Sequence, residues 1–334
     1  MTRRQLTGEH WKLIEPYLPI GEYGPYPERL RDQFEGVIWR FRSGAQWREM
    51  PNEFGPWATV YGRFRVWRNA DVFTALLEGL ITEAARQRKT DLSLVSVDST
   101  TVRGHHDAAG MRVGKEVMDA LVEAAAEEEQ ARQKGAARRD RTGKERGAAP
   151  SGKSERRVRR RYRLRLKEAL LGRSRGGLTS KIHLAADQKR RPLSFVLTAG
   201  QAADSPQFIP VLKKIRVRMP VGRPRTRPGA VAADKAYSSR GNRSYLRKRS
   251  IKAVIPEKKD QAANRKKKGS RGGRPVSHDA ALYKERNTVE RLINRLKDWR
   301  GIATRYDKTP ESYLAGLELR ASTIWFEDLL RAVD

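Results

Sequence analysis

Two short apolar runs stop at a carboxylate. LSLVSVD, residues 92 to 98, ends at Asp98, and GAVAAD, residues 229 to 234, ends at Asp234. Both are too short and too rich in β-branched or small residues for amphipathic helices, so both read as buried strands. Between them LTSKIHLAAD (178–187) and RPLSFVLTAG (191–200) flank DQKRRP and predict a β-hairpin, and IKAVIP (251–256) predicts a further strand. The segments SPQFIPVLKKIRVRM, with Ser205 as cap and Pro206 at the first position, and SSRGNRSYLRKRS read as helices. Strands alternating with helices predict a mixed sheet flanked by helices. Such a sheet gathers strand-end carboxylates along one edge.

The rest of the chain surrounds this pattern. Residues 1 to about 86 are helical in pattern: Thr7 can cap a helix bearing Trp11, Ile14 and Leu18, and Phe34, Val37, Ile38 and Phe41 keep helical spacing. GPWATVYGRFRVWR sets Val60, Tyr61, Phe64 and Trp67 on one face and Arg63, Arg65 and Arg68 on others. Asp71 can cap the next helix, whose apolar side holds Phe73, Leu76, Leu77, Leu80 and Ile81. Compact helices, one bearing arginines, suit a helix-turn-helix-like DNA reader. Residues 111 to 172 form a charged block: an Ala- and Glu-rich helix, a low-complexity stretch (138–157), and the basic RRVRRRYRLRLKEALL. It reads as an insertion whose helices pack weakly. Residues 257 to 277, rich in Lys, Arg and Gly, read as a flexible phosphate-attracting loop, and SYLAGLELRASTIWFEDLL reads as a core helix.

Charge narrows the partners. Lys plus Arg number 71 against 39 Asp plus Glu, a net charge of +32 over 334 residues. An excess of that size attracts phosphate and drives counterion release from nucleic acid. A membrane partner is disfavoured, because the chain has no apolar run of spanning length and no signal-peptide pattern. The lack of cysteine excludes thiol catalysis, disulfides and Cys-based zinc sites, and fits a cytoplasmic protein. The five histidines are too scattered in sequence to suggest a zinc site. Any metal is expected to be hard and oxygen-ligated.

YKERNTVERLINRLKDWR (283–300) has neither Pro nor Gly and predicts one continuous helix, with Val289, Leu292, Ile293 and Leu296 facing a core. At roughly 100° per residue, Tyr283, Arg286, Glu290 and Lys297 fall within about 60° of one another. Taken alone, Glu290 could simply pair with Arg286 four residues away. Two strand-end aspartates and a helical glutamate could instead share two divalent ions, about 3.5–4 Å apart, for phosphoryl transfer.

The chain resembles the transposases of bacterial insertion sequences that carry an Asp-Asp-Glu triad on a ribonuclease-H-like core, in particular the insertion-sequence-five type. The resemblance rests on VDSTTVRGHH, GRSRGGLTSKIHLAAD, RPLSFVLTAGQAADSPQF, ADKAYSS and YKERNTVERLINRLKDWRGIATRYDK. The last contains a Tyr-x2-Arg-x3-Glu-x6-Lys signature at Tyr283, Arg286, Glu290 and Lys297. WREMPNEFGPWATVYGRFRVW resembles the small domain that opens such proteins. The implied architecture is α/β, with a helical DNA-binding domain over 1–88 and a ribonuclease-H-like catalytic domain over 89–334, interrupted by the charged insertion 111–172. The implied activity is cleavage and strand transfer at terminal inverted repeats. Asp98, Asp234 and Glu290 would hold two Mg²⁺ ions, with Mn²⁺ as a substitute. Tyr283, Arg286 and Lys297 would touch the DNA end, and Arg63, Arg65, Arg68, Arg175 and Lys235 are further DNA-contact candidates. The implied partners are double-stranded DNA, both element ends and target, and a second copy on DNA, in a bacterial nucleoid. Two departures stand out. The insertion replaces a short connection, and its basic half could grip DNA, mediate dimer contact or be merely tolerated. Ser238 stands where many relatives carry Asp, and is expected outside the metal shell. A silent DNA-binding descendant and a nuclease with the same core remain the rival readings.

Overall fold

The structure, a computed structural model, describes residues 6–20, 26–137, 153–174, 176–219, 221–276 and 279–330. The chain opens with α1 (Gly8–Ile14), α2 (Leu30–Ser43), α3 (Trp57–Asn69) and α4 (Val72–Arg86). Thr7 caps α1 as its sequence suggests: its hydroxyl accepts from the His10 amide at 3.2 Å, and His10 Nδ1 accepts from the Thr7 amide at 3.0 Å. Asp71 precedes α4 in a left-handed conformation, φ 53°, and its side chain makes no capping bond. Gly44, φ 71°, ends α2, a conformation that costs glycine nothing.

β1 (Leu94–Gly104) is followed by the insertion helices α5 (Lys115–Ala137) and α6 (Lys153–Glu168). The sheet resumes with β2 (Gly172–Ser174), β3 (Gly177–Ala186) and β4 (Pro192–Ala199), then α7 (Phe208–Lys213), β5 (Ala230–Ala233), α8 (Arg240–Lys248) and β6 (Lys252–Val254). The remaining elements are α9 (Lys259–Lys267), α10 (Ala280–Lys284), α11 (Asn287–Lys297), α12 (Arg300–Ala303), β7 (Thr304–Arg305) and α13 (Pro310–Leu329).

β3 is antiparallel to β1 on one side and to β4 and β2 on the other, while β1, β5 and β6 run parallel. Three antiparallel strands followed by two parallel ones, with β1 central, make the mixed sheet of a ribonuclease-H-like core. The expected hairpin is present. β1 is longer than its sequence suggests: Asp98 lies inside it, because β3 keeps pairing as far as Arg103. The parallel ladder is shorter, and its last pair is Val97 with Ala233. Asp98 and Asp234 therefore follow one another at the end of that ladder, on strands about 4.8 Å apart.

Three expectations need correction. The helix foreseen over 283–300 is broken: α10 ends at Lys284, and the Arg286, Thr288 and Val289 amides bond three residues back instead of four. The tightening starts a new helical axis at α11. The loop foreseen over 257–277 contains α9, since Lys and Arg are good helix formers where nothing contradicts them. Residues 205–207 form a 3₁₀ turn with Asp204 at its cap position, not a helix capped by Ser205. The opening helices share their core with the rest of the chain. Phe34, Phe41, Phe73, Leu76 and Leu80 share one hydrophobic cluster with Leu317, Ile324 and Trp325 of α13 and with Val95 and Val97 of β1. A buried ion pair, Arg40 Nη2 to Asp307 Oδ1 at 3.1 Å, ties α2 to the segment before α13.

In the insertion, α6 packs on the sheet through a small separate cluster of Ala108, Met111, Leu166, Ala169 and Leu171. The low-complexity stretch falls largely outside the described residues, which omit 138–152.

Candidate active site

The site forms where β1, β5 and α11 meet. Asp98 projects from β1; its Oδ1 accepts from the Ser99 amide at 2.8 Å. Burial raises its pKa above the usual carboxylate range, the Asp234 charge adds to the rise, and the Ser99 amide and Arg286 oppose it. Asp234 begins a short 3₁₀ turn, and its Oδ1 accepts from the Ala236 amide at 2.8 Å. Both aspartates thus have one oxygen fixed by a backbone amide, Asp98 by the next residue of its strand and Asp234 by the turn that follows β5.

Glu290 lies in the first turn of α11, half exposed, and meets the aspartates through a cation. Arg286 donates from Nη1 to Asp98 Oδ2 at 2.8 Å and from Nη2 to Glu290 Oε1 at 2.5 Å. The local Arg286–Glu290 pair is therefore real, but it is half of a bridge that reaches β1. The Arg286 guanidinium also lies over the Tyr283 ring at 5.9 Å, and Tyr283 packs against Ala230, Ala232 and Val254 of the sheet. Lys297, at the far end of α11, donates to Thr100 Oγ1 at 2.7 Å and to the Thr101 carbonyl at 3.1 Å. Burial lowers its pKa. The signature residues thus follow β1, with Arg286 and Glu290 at Asp98 and Lys297 two to three residues farther along the strand.

The remaining candidates scatter. Arg65 is exposed on α3, its guanidinium 6.0 Å from the Tyr61 ring, and Arg63 is half-buried on the same helix. Arg68 turns inward, donating to Ser312 Oγ at 2.7 Å and to Asn69 Oδ1, so it braces α3 on α13 and leaves the arginine face. Lys235 is exposed beside Asp234. Arg175 lies outside the described residues. Ser238 is buried, its hydroxyl engaged by Gln261 and Arg243.

One set of residues behind Asp98 carried no assigned role in the sequence. Ser99 donates to Asp204 Oδ1 at 2.7 Å, Lys181 donates to the same oxygen at 3.0 Å, and His183 lies beside it with its pKa lowered by burial to about 4. Asp204 sits in the AGQAADSPQF motif, but nothing local marks it as the anchor of β1. Among the described residues, one trio of His, Asp or Glu brings its ligand atoms within 4.8 Å of one another: His105, His106 and Asp107, at the end of β1. Asp98, Asp234 and Glu290 do not close to that distance, and Arg286 stands between two of them.

Residues 89–315 match the family described as "Transposase DDE domain", and residues 6–77 match "Putative transposase of IS4/5 family". The chain belongs to the insertion-sequence transposases of the IS4/5 type. This transposase is 30% identical over 148 residues to the putative transposase for insertion sequence element IS6501 of Brucella ovis, a match covering 44% of this chain and 98% of the relative. It is 30% identical over 154 residues to the putative transposase for element IS402 of Burkholderia cepacia, covering 46% of this chain and 65% of that one. Its similarity to the pre-cleavage Mos1 transpososome structure covers 93% of this chain and 82% of that chain at 11% identity; the TM-score of 0.22 carries no structural argument. The transposase has no helix, among the described residues, long and apolar enough to cross a membrane.

Proposed function

We propose that this transposase cuts DNA at the terminal inverted repeats of its element and joins the freed 3′-hydroxyl to target DNA, with Asp98, Asp234 and Glu290 as its catalytic carboxylates. The observation that carries the reading is the Arg286 bridge. Two carboxylates, Asp98 on β1 and Glu290 on α11, are held on one cation that lies 188 residues from Asp98 in the chain, beside a third that follows the neighbouring parallel strand.

The donor set fits two hard divalent ions, Mg²⁺ or Mn²⁺. All three side chains offer oxygen, and burial, which raises the pKa of Asp98, makes a nearby cation favourable to its charged form. Bound ions would neutralise charge on the scissile phosphate and lower the pKa of an attacking oxygen. The chain's own residues do the positioning. The Ser99 and Ala236 amides fix one oxygen on each aspartate, and the second oxygen of Asp98 accepts from Arg286. Arg286, once released from Glu290, offers a planar fork that matches a phosphate. Lys297, tethered to Thr100, sets a second cation along the same strand. The exposed face of α3, with Trp57, Tyr61, Arg65 and Val66, is the proposed reader of duplex DNA. Pairing of two ends implies at least a dimer on DNA.

The test is a labelled duplex carrying the element's terminus, incubated with Mg²⁺ and a target plasmid, for wild type and Asp234→Ala. Cleaved and joined products, lost in the variant, support the reading. Cleavage without joining favours a nuclease. Tight binding without product from the wild type favours a silent DNA-binding descendant.

A further inference from the structure

The insertion is absorbed by neither the triad nor the signature, yet it builds a cavity. Helix α6 leans over the β2 edge and the end of β4, enclosing about 640 Å³. That volume lies in the range of pockets that take a nucleotide-sized ligand. Arg159, Arg163, Lys167 and Arg173 supply four cations to its wall, Tyr162 supplies an aromatic ring, and no acidic residue among the described residues lines it. A wall of one charge sign against an apolar floor of Leu166 and Leu171 selects an anion that also carries a flat or apolar part.

Its position is fixed by strand register. Side chains alternate between faces along a strand, and directly paired residues share a face. Asp98 pairs with Leu184 of β3, and Arg173 pairs with Leu178 of the same strand. These two rows are six residues apart on β3, so Arg173 and Asp98 project from the same face, about 20 Å apart at ~3.4 Å per residue. Ala199, also in the wall, pairs with Ser180 and belongs to that face too. Lys297 stands between them, at Thr100 and Thr101. A row of cations therefore runs from Arg286 at the carboxylates, through Lys297, to the α6 pocket. A duplex laid along this row, advancing ~3.4 Å per base pair, would meet the pocket about six base pairs from a bond cut at Asp98.

We propose that the α6 pocket is a second DNA-backbone site, holding a phosphate and its nucleotide about six base pairs from the scissile bond. This deepens the transposase reading and rests on it for the place of the cut. The same chemistry is offered by the element's end, by the host DNA flanking it and by target DNA.

The experiment measures binding without divalent ion, so that cleavage plays no part. Duplexes carrying the element's terminus are shortened one base pair at a time from the scissile phosphate, toward the element in one series and toward the flank in the other. An unrelated duplex of graded length serves as target. Wild type is expected to lose about tenfold in affinity when one arm falls below about six base pairs, and the series that shows the step names the source. In Arg163→Glu/Arg173→Glu the step should vanish, and the slope of log affinity against log salt should become shallower by about 1–2. Lys167→Ala, a milder surface change, should flatten the slope by less than about 1 and keep the wild-type melting temperature. Wild-type steps and slopes in both variants would overturn the proposal, as would a wild type with no step in any series. A chain that binds with the step but gives no cleaved product refutes the transposase chemistry and leaves the pocket standing. Normal cleavage without the step refutes the pocket alone.

Discussion

Arg286 holds Asp98 and Glu290 together at 2.8 and 2.5 Å, and a cation in that position competes with any other. Replacing it with glutamine keeps hydrogen-bonding capacity but removes the charge, so Arg286→Gln should bind Mn²⁺ more tightly while cutting DNA more slowly. Calorimetric Mn²⁺ titration beside an end-cleavage assay separates the two effects; weaker Mn²⁺ binding in the variant contradicts the competition. Glu290→Gln should retain the melting temperature and end binding and lose cleavage by at least about a hundredfold, since a ligand is lost but no core contact. Cleavage by that variant at the wild-type rate would remove Glu290 from the triad. At this scale the sequence was legible where partners are near in the chain. The Arg286–Glu290 pair follows from helical spacing, whereas the Arg286–Asp98 bond spans 188 residues and needed the fold. Asp204 escaped notice for the same reason, because its partners Ser99 and Lys181 lie on two different strands.

Elements were legible where period and punctuation agree. The runs ending at Asp98 and Asp234 are strands in place, and their parallel register brings the carboxylates side by side. The break between α10 and α11 was not legible, because neither Gly nor Pro marks it. Asp279 starts α10 by accepting from the Ala281 and Leu282 amides, and the chain restarts on a new axis two residues past its end. The packing of α4 and α2 on α13 makes two predictions. Glu318 of α13 accepts from Thr74 Oγ1 at 2.9 Å, and burial pushes its pKa up to about 7. A carboxyl with a raised folded-state pKa binds more protons folded than unfolded. Its stabilising contribution is present at low pH and is lost as pH rises from about 4.5 through about 7. Glu318→Gln should therefore stabilise the protein by about 1–3 kcal/mol at pH 8 and change little at pH 4.5, read from denaturant melts at both. Equal effects at the two pH values would refute it. Also on α13, a Cβ at Gly316 would meet Phe41 Cε1 of α2 at 2.1 Å. Gly316→Ala should cost about 1–3 kcal/mol through overpacking, seen as a lowered melting temperature.

Across the whole molecule, the opening helices and the sheet are bound by α13 into one cluster. Unfolding should then be a single transition, and a fragment ending near residue 88 should lack a cooperative melt by circular dichroism. A sharp melt of that fragment would show that its helices can close a core unaided. The sequence marks a change of pattern near residue 88, where helices give way to strands, but pattern does not reveal that α4 needs a partner from the other end of the chain. That need sets a schedule. Thr74 and Glu318 are 244 residues apart, and a ribosome adding ~5–20 residues per second takes about 12–50 s to cover that distance. For that interval the apolar side of α4 has no α13 to cover it. Its arginine-bearing neighbour α3, braced on α13 through Arg68 and Ser312, cannot reach its final pose until that helix has cleared the exit tunnel. On the proposed DNA-reading role of α3, a nascent chain would meet DNA productively only after β1, β5 and α11, which position the proposed catalytic carboxylates, have been made.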